Sequence, residues 1–156
     1  MAERNFGYAA RRTVEKRLKR LLRDGRGALD AGNLDALHAL RIDVKRLRYN
    51  LEFVAPLLAE RAREPLALLA TAQDHFGTLA DADAFGRTYA AMLADLPAES
   101  DRRPGLQRLC DDAARERQAA LEGVRTFWRG EGTPYPERLA ASISAALGSL
   151  SKDEGS

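Results

Sequence analysis

The sequence predicts an all-α protein, an antiparallel helical bundle of about six helices within a single domain over residues 1–150. Apolar residues recur with the period of about 3.6 that is typical of helices along almost all of the 156-residue chain. Alanine and leucine are abundant whereas valine and isoleucine are scarce, which favours helix over strand. Glycine and proline mark short connections between the periodic segments, as expected for antiparallel neighbours in a bundle.

Six segments show the helical period, and we expect helices at about residues 8–30, 34–60, 64–78, 80–96, 106–129 and 136–149. The first has an apolar face made of Val14, Leu18, Leu21, Leu22 and Leu29. The second can be capped by Asn33 or Asp35, and Pro56 should kink it or end it. Pro65 fits the first turn of the third helix, because a proline there loses no intrahelical hydrogen bond.

The breaks between the later helices are marked by glycine and proline. Gly77 weakens the end of the third helix, and Pro97 stops the fourth. A loop is expected at residues 98–105, and the segment 130–134 ends the fifth helix. The short polar tail at residues 151–156 is expected to be disordered.

Positive charge is concentrated in the first third of the chain. Residues 1–54 contain 13 lysines and arginines against 7 acidic residues, a net charge of +6, whereas residues 55–156 carry −4. The net charge of +2 for the whole chain hides this difference. A local excess of this size points to a polyanionic partner that contacts the first two helices.

One side of the second predicted helix carries a histidine and three cations. At about 100° per residue they form a basic stripe that consists of His38, Arg41, Lys45 and Arg48. The leucine-rich core face lies on one side of this stripe, and Ile42, Tyr49 and Phe53 lie on the other. A solvated face would lie opposite the core, so the stripe is expected where two helices meet or a groove opens. Cations in such a place need a counter-charge, and phosphate is a natural one.

The segment from Leu37 to Leu58 resembles the CHAD domain, the conserved histidine α-helical domain. The matching residues are His38, Leu40-Arg41, Lys45-Arg46-Leu47-Arg48-Tyr49, Phe53 and Pro56-Leu57-Leu58. A second element that is similar to the family lies at residues 72–81, where Ala72, Phe76 and Ala80 depart from the family's pattern. The resemblance covers about residues 10–130.

The resemblance implies an architecture and a function. A complete CHAD domain consists of two related helical bundles, each with its own histidine-arginine helix, and this chain resembles the C-terminal half. The family is associated with the binding of inorganic polyphosphate through a basic channel between the halves. We therefore expect a non-catalytic binding or targeting module that is associated with polyphosphate granules. A homodimer would supply the second half of the channel.

Polyphosphate is a linear polyanion without bases, so a row of cations is sufficient to bind it. Cations three or four positions apart on a helix lie about 5–6 Å from one another, and an extended chain can meet several at once. The expected binding residues are the basic stripe and cations of the first helix, namely His38, Arg41, Lys45, Arg48, Arg12, Lys16, Lys19, Arg20 and Arg23. For the first-helix cations, an ordinary solvent-facing role is the alternative, and for His38 a structural one.

Other functions match the sequence less well. We expect no metal or other cofactor, because only His38 and His75 are available as imidazole ligands and they lie on different helices. No glycine-rich phosphate loop or nucleophile motif indicates an enzyme. Nonspecific binding of nucleic acid or of another polyanion is an alternative, and the lack of interleaved aromatic residues disfavours nucleic acid. Histidine phosphotransfer through His38 is another, although Ile42 stands where such proteins have a small residue.

The location of the protein is expected to be cytoplasmic. A single cysteine, Cys110, excludes an internal disulfide and fits a reducing compartment. No apolar run is long enough to span a bilayer, and the first five residues lack the apolar core of a signal peptide.

Overall fold

The structure is a computed structural model that describes residues 2–148 and residue 150. The described residues are almost entirely helical and contain no strand, which confirms the all-α class. Five α-helices follow one another, and a short 3-10 helix, Ala59–Ala62, lies between the second and the third. The α-helices are α1 (Ala2–Ala31), α2 (Leu34–Leu58), α3 (Arg63–Asp95), α4 (Arg103–Arg129) and α5 (Tyr135–Leu147).

The number of helices differs from the prediction of about six, since the described residues form four long α-helices and a short fifth. The predicted third and fourth helices are one continuous helix, α3, which runs through Gly77 without a break. A glycine inside a helix costs only about 1 kcal/mol relative to alanine. Phe76 and Leu79 are both buried in the core beside it, and their packing outweighs that cost.

The start of α2 is capped as expected. The side-chain oxygen of Asn33 accepts hydrogen bonds from the backbone N–H of Asp35 at 2.9 Å and of Ala36 at 3.2 Å. Pro56 lies inside the last turns of α2, and the helix ends at Leu58 rather than near residue 60.

Two other helix starts lie earlier than predicted. α1 begins at Ala2 rather than near residue 8. α4 begins at Arg103, within the segment 98–105 that was expected to be a loop, because Pro104 fits the first turn of the helix. The tail predicted to be disordered, residues 151–156, lies outside the described residues.

One hydrophobic core joins α1, α2, α5 and the near ends of α3 and α4. α1 and α2 form a hairpin, and α2 and α5 both pack against α3. Tyr135, at the start of α5, is fully buried, and its hydroxyl donates a hydrogen bond to the carbonyl oxygen of Leu68 at 3.2 Å. No helix among the described residues is both long enough and apolar enough to cross a membrane.

The second half of α3 and the first half of α4 extend beyond this core as the α3–α4 hairpin, residues 80–118. Its own buried side chains are few and mostly small, namely Ala82, Leu106 and Ala113. At its tip, Arg103 donates hydrogen bonds to the carbonyl oxygens of Leu93 at 3.2 Å and Leu96 at 3.0 Å. The two helices are therefore held together over a stretch where the main core contributes little.

Candidate functional site

The basic stripe lies along the edge where α2 meets α3. Arg48 donates a hydrogen bond to the side-chain oxygen of Gln73 on α3 at 2.8 Å. Arg41 and Arg48 are half-buried, whereas His38 and Lys45 are exposed. The stripe is thus beside the core and at a helix–helix edge, in the place that its periodicity predicts.

Arg48 is oriented by two neighbours. Its Nε donates to Glu52 at 2.8 Å along α2, and one terminal nitrogen donates to Gln73. The other terminal nitrogen has no hydrogen-bond partner among the described residues. A guanidinium fixed in this way loses little side-chain freedom when it binds an anion.

Lys45 extends over the outer surface of α2. Its Nζ lies 5.6 Å from the centre of the Tyr49 ring, within cation–π range. Tyr49 is 53% exposed and Phe53 is 70% exposed. The described part of residues 97–150 therefore leaves both rings uncovered.

His38 and Arg41 face a cleft of about 380 Å³ between α2, α3 and α4. Two arginines outside the predicted set of binding residues also line it, Arg87 on α3 and Arg117 on α4. Both contact Asp83, whose Oδ2 lies 2.9 Å from Arg87 Nη2 and whose Oδ1 lies 3.6 Å from Arg117 Nη1. Only the pairing of α3 with α4 brings these arginines together, and nothing in their sequence spacing indicates it.

The predicted cations of the first helix lie on a separate surface. A shallow depression formed by α1 alone is lined by Arg12, Lys16, Lys19, Arg20 and Arg23. All five are exposed.

Two of these α1 cations contact carboxylates of the protein. Arg20 Nε lies 3.4 Å from Oδ2 of Asp43, a carboxylate on α2 that is only 7% exposed. Arg23 donates to Asp24 at 2.8 Å, and this hydrogen bond raises the pKa of the guanidinium and lowers the pKa of the carboxyl. Lys16 and Lys19 form no ion pair with any residue that the structure describes.

The predicted binding residues therefore do not form a single cluster. The contact of Asp43 with Arg20 marks the side of α2 that faces α1, and the contact of Arg48 with Gln73 marks the side that faces α3. By the helical rotation of about 100° per residue, Tyr49 lies between these two sides. An exposed aromatic strip thus separates the basic stripe from the cations of α1.

The two histidines lie in different surroundings. His75 stacks on Phe127 with ring centres 4.4 Å apart, whereas His38 lines the cleft. Within residues 2–148 and 150, no group of three or more histidine, cysteine, aspartate or glutamate side chains is placed to hold a metal ion.

A model of the CHAD domain family matches residues 2–89. No curated protein and no solved structure gives a significant match. The matched segment contains α1, α2 and most of α3, and so includes the whole basic stripe and the cations of α1. It leaves out α4 and α5, and with them Arg117. Because the match covers more than half of the chain, the protein belongs to the CHAD domain family.

Proposed function

We propose that the protein binds inorganic polyphosphate through the basic surface of α1 and α2, as a binding module without catalytic activity. The observation that carries the proposal is the basic stripe, with two half-buried arginines at a helix–helix edge inside the segment that matches the CHAD family. That family is associated with polyphosphate binding. In this proposal the α1 cations contribute a second, more exposed row of charge.

The chemistry of the stripe suits a linear polyanion. Its cations repeat every three or four residues on one helix, so they present charges about 5–6 Å apart along a line. Arg41 forms no ion pair with a described residue, and one terminal nitrogen of Arg48 has no hydrogen-bond partner within the part of the chain that the structure describes. Arg41 and this terminal nitrogen of Arg48 can therefore donate to phosphate oxygens without breaking a bond to a carboxylate, while the Nε of Arg48 stays bound to Glu52.

The proposal extends to a homodimer with a shared groove. Tyr49 and Phe53 expose aromatic surface on the outer side of α2, and Phe6 of α1 packs edge to face on Phe53 with ring centres 5.6 Å apart. A second copy that covered this strip would bury the rings and bring two basic stripes together. Polyphosphate would then bridge the two copies and stabilise the pair.

The decisive variant carries Arg41→Gln, Lys45→Gln and Arg48→Gln. We expect its affinity for long-chain polyphosphate to fall by several kcal/mol, at about 1.5–3 kcal/mol per charge-assisted hydrogen bond. The matched control removes three exposed cations elsewhere, by Arg108→Gln, Arg129→Gln and Arg138→Gln, with the same loss of net charge. Calorimetric titration at fixed salt measures both, and circular dichroism checks that both remain helical.

Equal affinities of the stripe variant and the control variant would reject the stripe as the site. Double-stranded DNA, titrated at the same salt, separates the proposal from nonspecific nucleic-acid binding. Preference for DNA over polyphosphate of equal charge would favour the nucleic-acid alternative.

A further inference from the structure

The cleft between α2, α3 and α4 has a different shape and composition from the basic stripe. Three helices contribute cations to it, namely Arg41 from α2, Arg87 from α3 and Arg117 from α4, and His38 of α2 also lines it. Phe76 and Leu79, which are buried, also line it. The cations therefore converge on one compact volume instead of following a line.

We propose that this cleft is a second anion site, which takes a terminal phosphate group such as the end of a polyphosphate chain. The inference rests on the proposed function for its ligand class, and it adds Arg87 and Arg117 to His38 and Arg41 of the basic stripe. A terminal phosphate carries up to two negative charges and three free oxygens, whereas a phosphate inside the chain carries one charge and two free oxygens. Convergent arginines match the terminal group, because each guanidinium offers several donors to separate oxygens.

Asp83 acts as a positioning residue for two of the arginines in the cleft. One of its oxygens contacts Arg87 and the other contacts Arg117, so a single carboxylate orients guanidiniums from two helices. Each contact uses one nitrogen of an arginine, and the remaining N–H donors are left for a ligand. Two carboxylates line the cleft, Asp83 and Asp35, against three arginines, so the cleft retains net positive charge without counting His38.

The test uses inorganic tripolyphosphate, which has two terminal groups, and cyclic trimetaphosphate, which has none. In the full chain, the double variant Arg87→Gln, Arg117→Gln should weaken tripolyphosphate binding about tenfold or more in calorimetric titrations. Both side chains are substantially exposed, at 77% and 46%, so the fold should tolerate the change. Trimetaphosphate binding should fall by much less.

Two control variants make the outcome specific. Arg115→Gln and Arg108→Gln together remove the same charge from exposed positions on α4, and should leave tripolyphosphate binding within about twofold. Lys45→Gln with Arg48→Gln damages the stripe, and should weaken long-chain polyphosphate while sparing tripolyphosphate.

The inference is overturned if the cleft variant binds tripolyphosphate as tightly as the unmodified protein does. It is also overturned if the cleft variant loses no more affinity for tripolyphosphate than the α4 control loses. Equal losses for tripolyphosphate and trimetaphosphate would also overturn it, because the cleft would then not select chain ends. Failure of the proposed function has a different signature, namely unchanged long-chain affinity in the stripe variants.

Discussion

At the scale of single residues, the tyrosine at the start of α5 makes the stability of the folded protein depend on pH. Tyr135 is buried against Phe127 and Trp128, with ring centres 4.5 Å and 5.3 Å away. Burial raises the pKa of its hydroxyl, because a phenolate in this place would lose its hydration. The folded protein therefore holds this proton at pH values where the unfolded chain has released it.

This coupling predicts a loss of stability at alkaline pH. The contribution of Tyr135 to the free energy of unfolding is fully present below the pKa of about 10 that its hydroxyl has in the unfolded chain. It declines as the pH rises above that value. At pH 8, Tyr135→Phe should cost about 1 kcal/mol through the lost hydrogen bond to Leu68. At pH 11 the difference from the unmodified protein should shrink or reverse.

Urea unfolding at both pH values measures the effect on the free energy of unfolding. Tyr8→Phe, at an exposed hydroxyl, is the control for the substitution itself. The predicted pH dependence would be contradicted if the free energies of unfolding of Tyr135→Phe and the unmodified protein differed by the same amount at pH 8 and pH 11.

At the scale of elements, two glycines of α1 have opposite surroundings. A Cβ added at Gly25 would lie 2.7 Å from Cη2 of Trp128 and closer still to Cζ2, whereas a Cβ at Gly27 would meet no atom within 4 Å. Trp128 is itself packed against Phe76 and Tyr135 and has little room to move. Gly25 therefore permits the close approach of α1 to α4.

Alanine substitutions at these two glycines should change the stability of the protein in opposite directions. Gly25→Ala should destabilise the protein by about 1–3 kcal/mol through overpacking against Trp128. Gly27→Ala should stabilise it by about 0.5–1 kcal/mol, because alanine loses less backbone entropy in a helix. Urea unfolding of the two variants compares them directly, and a stabilising Gly25→Ala would show that the two helices do not meet here.

The sequence was sufficient to predict features that depend on one helix at a time. The helical class, a polar cap at Asn33 or Asp35 and the position of the basic stripe follow from local pattern, and the structure assigns the cap to Asn33. The continuity of α3 through Gly77 could not be predicted, because tertiary burial of the neighbouring residues outweighs the weak propensity of glycine. The cleft could not be predicted for a related reason, because a contact between segments distant in sequence brings Arg117 to it.

At the scale of the whole molecule, the exposed aromatic strip predicts self-association. Sedimentation at micromolar concentration should show a dimer whose fraction rises with salt, which screens the repulsion between the facing stripes, and rises further with polyphosphate. Tyr49→Ser with Phe53→Ser should leave a monomer. The matched control, Phe85→Ser with Met92→Ser, removes exposed apolar surface from the α3–α4 hairpin instead.

A monomer under all conditions would rule out the shared groove. Loss of the dimer only in the Phe85→Ser, Met92→Ser variant would place the contact between copies on the hairpin. Either result would leave the basic stripe as an open surface on a single copy.

The extension of the α3–α4 hairpin beyond the core also determines how the molecule opens. The main core reaches Leu79 on α3 and resumes around Val124 on α4, so the intervening turns depend on a few small side chains. Backbone amides in those turns should exchange with solvent through local opening, well before the amides of α2 do. His38 and Arg41 are expected in the slowly opening part, and Arg87 and Arg117 in the rapidly opening part. An anion held by all four would link the hairpin to the core, and protection from exchange should then extend further along the hairpin.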